Sequence, residues 1–354
     1  MTAAKHYTRP PVLGFIGIHA GNRKSQPISQ NETVANLFSQ SGYSVRRASA
    51  FKGKVPRTLH QIISLLWWRD VDVVVVAVFS GLSFRMAEYS SMLAKLTGKR
   101  VVLFLHGGNL AVFGATRRKR VERVLDRADV VMAPSDFLAD TFRSWGHDVH
   151  VVPNVLDIEK YEYEPRSSAR PNFLWMRTFH EHYDPLMAVR VFAKVAEAHP
   201  EARMTMGGAD HGLLEATKQE AAKLGVADRI AFPGYVRNEL KRTAFADNDI
   251  YLNTNILDNM PVSLLEAAAC GLVPVATAVG GIPAIVEDGT NGLLVESGDV
   301  DAMASKILGL IADPAHFAKL SSGARGLAER SGWPSVYRRW VAELSLVLPH
   351  LVLR

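Results

Sequence analysis

The sequence predicts an α/β fold: two doubly wound domains facing one another across a cleft. Three observations predict it. The chain has 354 residues, 48% hydrophobic and 21% charged, with ordinary globular composition, room for two domains of ~150 residues that each bury a core. Short apolar runs alternate with longer amphipathic stretches, the pattern of βαβ units around a buried parallel sheet. The alternation stops at a polar segment carrying two prolines, Tyr161–Pro171, and then restarts.

In chain order, the first half offers strands at Val12–Ile18, Val73–Phe79, Val101–Leu105, Val130–Ala133 and Val149–Val152. Each is a β-branched or aromatic run bounded by polar or glycine residues. Helical periodicity fills the intervals at Glu32–Gln40, Leu59–Trp68, Phe84–Leu96, Lys119–Arg127 and Asp136–Ser144. After the break, strands are expected at Phe173–Met176, Arg203–Met206, Arg229–Ala231, Ile250–Asn253, Val273–Thr277 and Gly292–Val295. Helices are expected at Pro185–Ala198, Leu213–Leu224, Val262–Ala269 and Met303–Ile311, and Trp333–Leu348 reads as one closing amphipathic helix. The expected organisation is a first domain over 1–160, a linker over 161–171, a second domain over 172–332, and a terminal helix, 333–354, packing back on the first domain. In such sheets ligands bind outside the carboxyl ends of the strands, so the loops after the strands are where chemistry is sought.

Composition excludes several classes. The single cysteine, Cys270, makes no internal disulfide and rules out a four-cysteine zinc site. The longest apolar run, Val71–Leu82, contains Asp72, Ser80 and Gly81 and falls short of the ~20 residues that span a bilayer, so no transmembrane helix is expected. Val12–Ala20 resembles a signal-peptide core in composition, but the prolines before it and the polar residues after it favour a buried strand and a cytoplasmic protein. Residues 1–160 hold 22 Lys and Arg against 12 Asp and Glu, while the rest hold 19 against 23. The basic half suggests an anionic partner, such as peripheral contact with a membrane surface; chance variation between domains is the plain alternative. Nucleic acid is a poor fit, because the basic residues are not interleaved with aromatics on a recognisable module. The Asp70-Val71-Asp72 pair precedes a strand, at the sheet end opposite the ligand loops, so no metal site is expected. The basic run Arg117–Arg120 opens a helix and reads either as a solvated helix start or as an anion contact.

The most specific segment is Asp258–Gly292. Pro261 suits a helix start because its missing N–H is not needed there. Gly271 suits the stop. Free amides at Val262, Ser263 and Leu264, with the positive end of the helix dipole, favour phosphate. Glu266, one turn further in on the same face as Val262, has a carboxylate able to accept from a diol such as ribose. Gly280-Gly281 would let backbone approach a ligand.

This run resembles the signature of the family-4 glycosyltransferases of GT-B fold, in which two glutamates separated by seven residues precede an alanine-rich helix and a Gly-Gly-Ile-Pro loop. The resemblance implies two Rossmann-like domains. It places Glu266 on the ribose of a nucleotide sugar and Asp258, one methylene shorter than the usual glutamate, on the donor sugar. Arg177 matches the arginine that holds the diphosphate, and His182 stands where the family has a lysine. Met260, Pro261, Val262 and Ser263 complete the donor side, and Arg237 or Lys241 lies near enough to another strand end to supply the missing charge. In the first half, His106 with Gly107, Gly108 and Asn109 resembles the loop whose histidine lies near the reacting sugar. Gly21 falls in the glycine-containing loop that approaches donor phosphate. Pro153–Asp157 resembles the segment that closes the first domain.

The function so implied is a metal-independent, retaining transfer of a sugar from a nucleotide-diphosphate sugar to a hydroxyl on a glycan, lipid-linked or small-molecule acceptor. No cofactor is expected. A GT-B epimerase or hydrolase, or a non-catalytic nucleotide-sugar binder, remains open on the sequence alone. So do plain structural roles for Glu266, Arg177, His106, Asp258 and His182.

Overall fold

In the computed structural model, which describes residues 10–17, 29–48, 51 and 53–348, the chain divides into two compact units. One is Met1–Val155 with Trp333–Arg354; the other is Leu156–Gly332.

The first unit runs β1 (Val12–Ile16), α1 (Gln30–Gln40), β2 (Ser44–Ala48), α2 (Lys54–Trp67), β3 (Val73–Val78), α3 (Phe84–Leu96), β4 (Arg100–Leu105), α4 (Asn109–Thr116), α5 (Arg118–Leu125), β5 (Val130–Ala133), α6 (Asp136–Arg143) and β6 (His150–Val151). Its strands are all parallel, in the order β2-β1-β3-β4-β5-β6. Every residue of β3 is buried, as expected of a strand covered by helices on both faces. On one face Leu65, Ala87, Val121 and Leu138 bring α2, α3, α5 and α6 onto the sheet. On the other, Val34 and Phe38 of α1 meet the closing helix.

The second unit runs β7 (Asn172–Met176), α7 (Pro185–Ala198), β8 (Arg203–Gly207), α8 (Leu214–Lys223), β9 (Ile230–Gly234), α9 (Glu239–Asp247), β10 (Ile250–Asn253), α10 (Val262–Ala269), β11 (Val273–Thr277), β12 (Leu293–Val295), α11 (Val300–Ala312) and α12 (Pro314–Arg330). Its parallel sheet has the order β12-β11-β10-β7-β8-β9, so the winding reverses between β7 and β10. That reversal is where an open α/β sheet leaves a crevice beyond its strand ends. The closing helix, α13 (Trp333–Val347), belongs to the first unit. There Phe38 meets the edges of Trp333 and Trp340 at ring separations of 5.0 and 5.8 Å, and Trp340 and Leu344 lie in the core.

The structure differs from the sequence reading at identifiable places. β2 (SVRRA) has no apolar run because it is an edge strand, with Arg46 exposed and Arg47 folded back onto α1. Arg46 pairs with Asp70 at 2.7 Å and Arg47 donates to the Ala35 carbonyl at 2.9 Å. Asp72 accepts from the Val12 amide at 2.9 Å, so both carboxylates of the Asp-x-Asp pair serve the sheet. Residues 109–116 form α4 rather than an open loop; glycines in front of it and within it hide the periodicity. α9 and α12 were also not expected.

The segment read as a linker, 161–171, is part of the second unit. Arg166 forms a buried ion pair with Asp249, and Arg170 donates to the same carboxylate from Nε at 2.9 Å and from Nη2 at 2.9 Å. Most of the segment is exposed, but the buried Arg166 ties it to the unit. Among the described residues, no helix is long and apolar enough to cross a membrane.

Candidate functional site

The second unit brings several of the candidate side chains together at the reversal between β7 and β10. Arg177 is the first residue after β7. Burial works against its charge, but Asp258, with Tyr183 and Tyr251, more than offsets this and holds the guanidinium above its ordinary value. Its Nη2 donates to Asp258 and its Nη1 to Ser263 Oγ at 3.2 Å. The guanidinium also lies over the Tyr183 ring, 4.1 Å from the centroid. Tyr251, in the middle of β10, donates to Ser263 Oγ at 2.7 Å. The backbone of Arg177 is fixed by a close approach: a Cβ on Gly208 would lie 1.7 Å from the Arg177 carbonyl oxygen, so only glycine fits beside it.

Asp258 is fully engaged. It also accepts from Asn255 Nδ2 at 2.7 Å and from the Asn259 amide at 2.7 Å, while Gly281 of the double-glycine loop donates to its carbonyl at 3.3 Å. Three buried polar atoms near this pair have no hydrogen-bonding partner among the described residues: Arg177 Nε, Asn253 Nδ2 and Asn255 Oδ1. Such orphans are costly in a folded core and are a signal that a polar ligand completes the site.

α10 begins at Val262 with Pro261 as its cap residue, one position earlier than a first-turn proline. Val262, Ser263 and Leu264 are then the first three helical residues, whose amides have no partner within the helix. Cys270 caps the helix end, and burial pushes its thiol up to about 11. The side chain of Met260, expected on the donor side, is buried instead in the apolar core with Leu174, Leu264 and Ile282. Only its backbone remains for a ligand.

One turn into α10, Glu266 Oε1 accepts from the Tyr161 hydroxyl at 2.7 Å and pairs with Lys241 Nζ at 2.7 Å. Lys241, suggested as a source of missing phosphate charge, is thus spent on Glu266. The Tyr161 hydroxyl is raised beyond the titrating range by burial and then by Glu266, which leaves it a fixed donor. Neither pairing was visible in the sequence: Tyr161 lies in the segment read as a linker, and Lys241, singled out there for a phosphate, lies in an unexpected helix.

His182 sits in the turn after β7 and reaches the site through its backbone. Its carbonyl accepts from the Ile256 amide at 2.8 Å, tying this turn to the loop that carries Asp258. Its ring lies against His180, centroids 4.6 Å apart. His180, Glu181 and His182 hold ligand atoms within 4.8 Å of one another, spacing able to hold a metal, although His180 Nδ1 already accepts the His182 amide at 3.2 Å.

In the first unit, His106 follows β4 with its ring against Phe79 and Phe104 at centroid distances of 5.1 and 4.3 Å. Burial pushes its pKa down to about 3, and its Nε2 has no partner among the described residues. The imidazole is therefore neutral, a hydrogen-bonding group rather than a proton donor at neutral pH. Gly107 has φ +83° and Gly108 caps α4, whose first residue is Asn109. Gly21 lies outside the described residues.

Because the unfolded histidine protonates near its ordinary value and the folded one does not, stability falls as pH drops from about 6.5 toward 3, by at most ~1.4 kcal/mol per pH unit. His106→Phe should flatten that part of the acid limb in urea titrations. An acid limb unchanged by the substitution would show that the folded histidine protonates.

A family model described as Glycosyl transferases group 1 matches residues 170–313, and one described as Glycosyltransferase Family 4 matches residues 25–160. Both units thus match glycosyltransferase family models. Among curated relatives, this chain is 30% identical over 220 residues to the D-inositol 3-phosphate glycosyltransferase of Mycobacterium ulcerans, a match covering 58% of the chain and 46% of that protein. The chain thus spans about half the length of that relative. It is 24% identical over 310 residues to the GDP-mannose-dependent alpha-(1-6)-phosphatidylinositol monomannoside mannosyltransferase of Mycolicibacterium smegmatis, covering 81% of the chain and 79% of that enzyme. Among solved structures, Anabaena HepE in complex with UDP matches with a TM-score of 0.73 and 17% identity, covering 95% of this chain and 99% of that one. The sucrose-phosphate synthase of Thermosynechococcus elongatus matches with a TM-score of 0.75 and 16% identity, covering 94% and 100%. The fold is GT-B, with two Rossmann-like domains.

Proposed function

We propose that the chain is a cytoplasmic retaining glycosyltransferase that moves a sugar from a nucleoside-diphosphate sugar to a hydroxyl acceptor without a metal or cofactor. The observation that carries this is the half-buried Arg177–Asp258 pair beside the start of α10, ringed by unsatisfied polar atoms. The UDP bound by HepE and the GDP-mannose dependence of the mycobacterial relative support a nucleotide-sugar donor.

In this reading the diphosphate takes hydrogen bonds from the first amides of α10 and from the Arg177 guanidinium. Asp258, released in part from Arg177, accepts from the sugar hydroxyls, and Glu266 accepts from the ribose diol. The bond between the anomeric carbon and the phosphate oxygen breaks with its electron pair going to the diphosphate, whose growing charge the arginine and the helix start stabilise. The acceptor oxygen bonds to the same face of that carbon, and its proton passes to the departing phosphate. No carboxylate is assigned as a covalent nucleophile, so retention follows from same-face attack. The neutral His106 serves the acceptor side as a hydrogen-bonding group.

The test is incubation with UDP-, GDP- and ADP-sugars in EDTA, which also asks whether the histidine turn matters as a metal site. Free nucleoside diphosphate released faster with acceptor supports transfer, and release without acceptor would assign hydrolysis. Failure to bind any nucleotide would end the proposal. Glu266→Ala should weaken nucleotide binding by about 1–3 kcal/mol, the value of charged hydrogen bonds left unmade. An unchanged titration would remove Glu266 from the ribose.

A further inference from the structure

α2 is amphipathic in the reverse sense from the helices around it. Val55, Pro56, Leu59, Ile63, Leu66 and Trp67 share one sector of about 120° on the helical wheel, and all six are exposed. Val55 is 70%, Leu59 54% and Trp67 79% exposed. No polar or charged residue falls in that sector. The side turned to the protein carries Gln61, Ser64 and Leu65, all buried. Gln61 Nε2 donates to the Gly17 carbonyl at 3.0 Å, so serving the end of β1 places the polar side inward and the apolar side out.

The neighbouring helix continues this face. Tyr89, Met92 and Leu96 of α3 are exposed, Leu96 by 75%. Tyr89 and Met92 also line a cavity of about 200 Å³ between α3 and α5, together with Arg120, Arg123 and Arg127. Glu88, its one carboxylate, is held by Arg120 through two bonds of 2.6 Å. Arg123 and Arg127 donate to the backbone carbonyls of Lys119 and Glu88 at 3.2 and 3.3 Å, so neither spends its charge on a bonded carboxylate. The exposed α5 residues Lys119 and Arg123 add positive charge to this side of the unit.

We propose that this face seats the first unit on an anionic lipid surface, with α2 lying in the boundary between headgroups and acyl chains and the arginine cavity taking a lipid phosphate. An exposed apolar stripe bordered by cations is the arrangement that an interfacial helix uses. The excess of Lys and Arg over residues 1–160, 22 against 12 acidic groups, has the sign that an anionic leaflet attracts. A protein groove could cover the stripe but would leave the arginine cavity without a ligand, whereas an anionic bilayer fills both. The proposal does not rest on the sugar-transfer reading.

The test is co-sedimentation of the full chain with vesicles of phosphatidylcholine alone and of phosphatidylcholine containing phosphatidylglycerol, at low and high salt. Binding should require the anionic lipid and weaken with salt. Leu59→Ser with Ile63→Ser and Trp67→Ser should lower the partition more than about tenfold without changing the thermal midpoint, because all three are exposed. Arg123→Gln with Arg127→Gln should remove the preference for phosphatidylglycerol, and nucleotide titration should be unchanged in both variants. The proposal is overturned if the wild-type chain binds neither vesicle or if the triple variant binds as well as wild type. It is equally overturned if the wild-type chain self-associates and the triple variant is monomeric, which would give the face to a second copy.

Discussion

Arg177→Met should cost about 3–5 kcal/mol of stability and abolish measurable nucleotide binding. The stability loss arises because Asp258 would keep its charge in a buried place with its cationic partner gone, which costs more than the pair itself contributes. The binding loss arises because Arg177 is the cation bonded to Ser263 in the first turn of α10. The two effects separate in a double variant. Arg177→Met with Asp258→Asn removes both charges, and most of the stability should return in urea denaturation while nucleotide binding stays lost. Arg177→Lys keeps the charge but loses the planar fork that reaches Asp258 and Ser263 together, so intermediate binding is expected. Wild-type nucleotide affinity in the double variant would show that the pair is structural and that the phosphate binds elsewhere.

Asp249→Ala should destabilise the second unit by a similar amount, about 3–5 kcal/mol, without touching any group assigned to a ligand. Its buried carboxylate accepts from Arg166, from both Nε and Nη2 of Arg170, and from the Arg170 amide at 2.8 Å. Removing it strands the Arg166 guanidinium, which is itself buried. Segment 161–171 should then be cut by protease under conditions where the wild-type chain resists, and Tyr161 should loosen from Glu266. A loss below about 1 kcal/mol, with the segment still protected, would mean that packing rather than this ion pair holds it. Replacing the pair together, with Asp249→Leu and Arg166→Met, should recover much of the loss.

Elements with a strong period and clear punctuation were legible in the sequence. The helices Phe84–Leu96, Pro185–Ala198 and Val262–Ala269 and the strands Val130–Ala133, Ile250–Asn253 and Val273–Thr277 have the bounds read from the residues. The expectations failed where local pattern and tertiary role part company. β2 is an edge strand carrying two arginines, α4 is masked by glycines, and the polar, largely exposed segment 161–171 is anchored by Arg166 in a buried ion pair. The inverted face of α2 escaped notice for the same reason: its period says helix, but only its neighbours decide which side is inside.

The site divides along the same line. Arg177, Ser263 and Glu266 lie within short stretches whose residue types carry their own chemistry, so the sequence singled them out. Which partner each one takes is a matter of pairing across distance. Arg177 meets Asp258 across 81 positions, and Tyr161 meets Glu266 across 105. The sequence alone determined the fold class, the repeated βα pattern and the helix start suited to a phosphate, because these depend on periodicity and backbone chemistry over a few residues. Only the tertiary structure decided that Asp258 neutralises Arg177, that Lys241 serves Glu266 and that Met260 faces the core. Those outcomes depend on the pairing of β7 with β10, which brings segments far apart in the chain together at the carboxyl end of the two central strands.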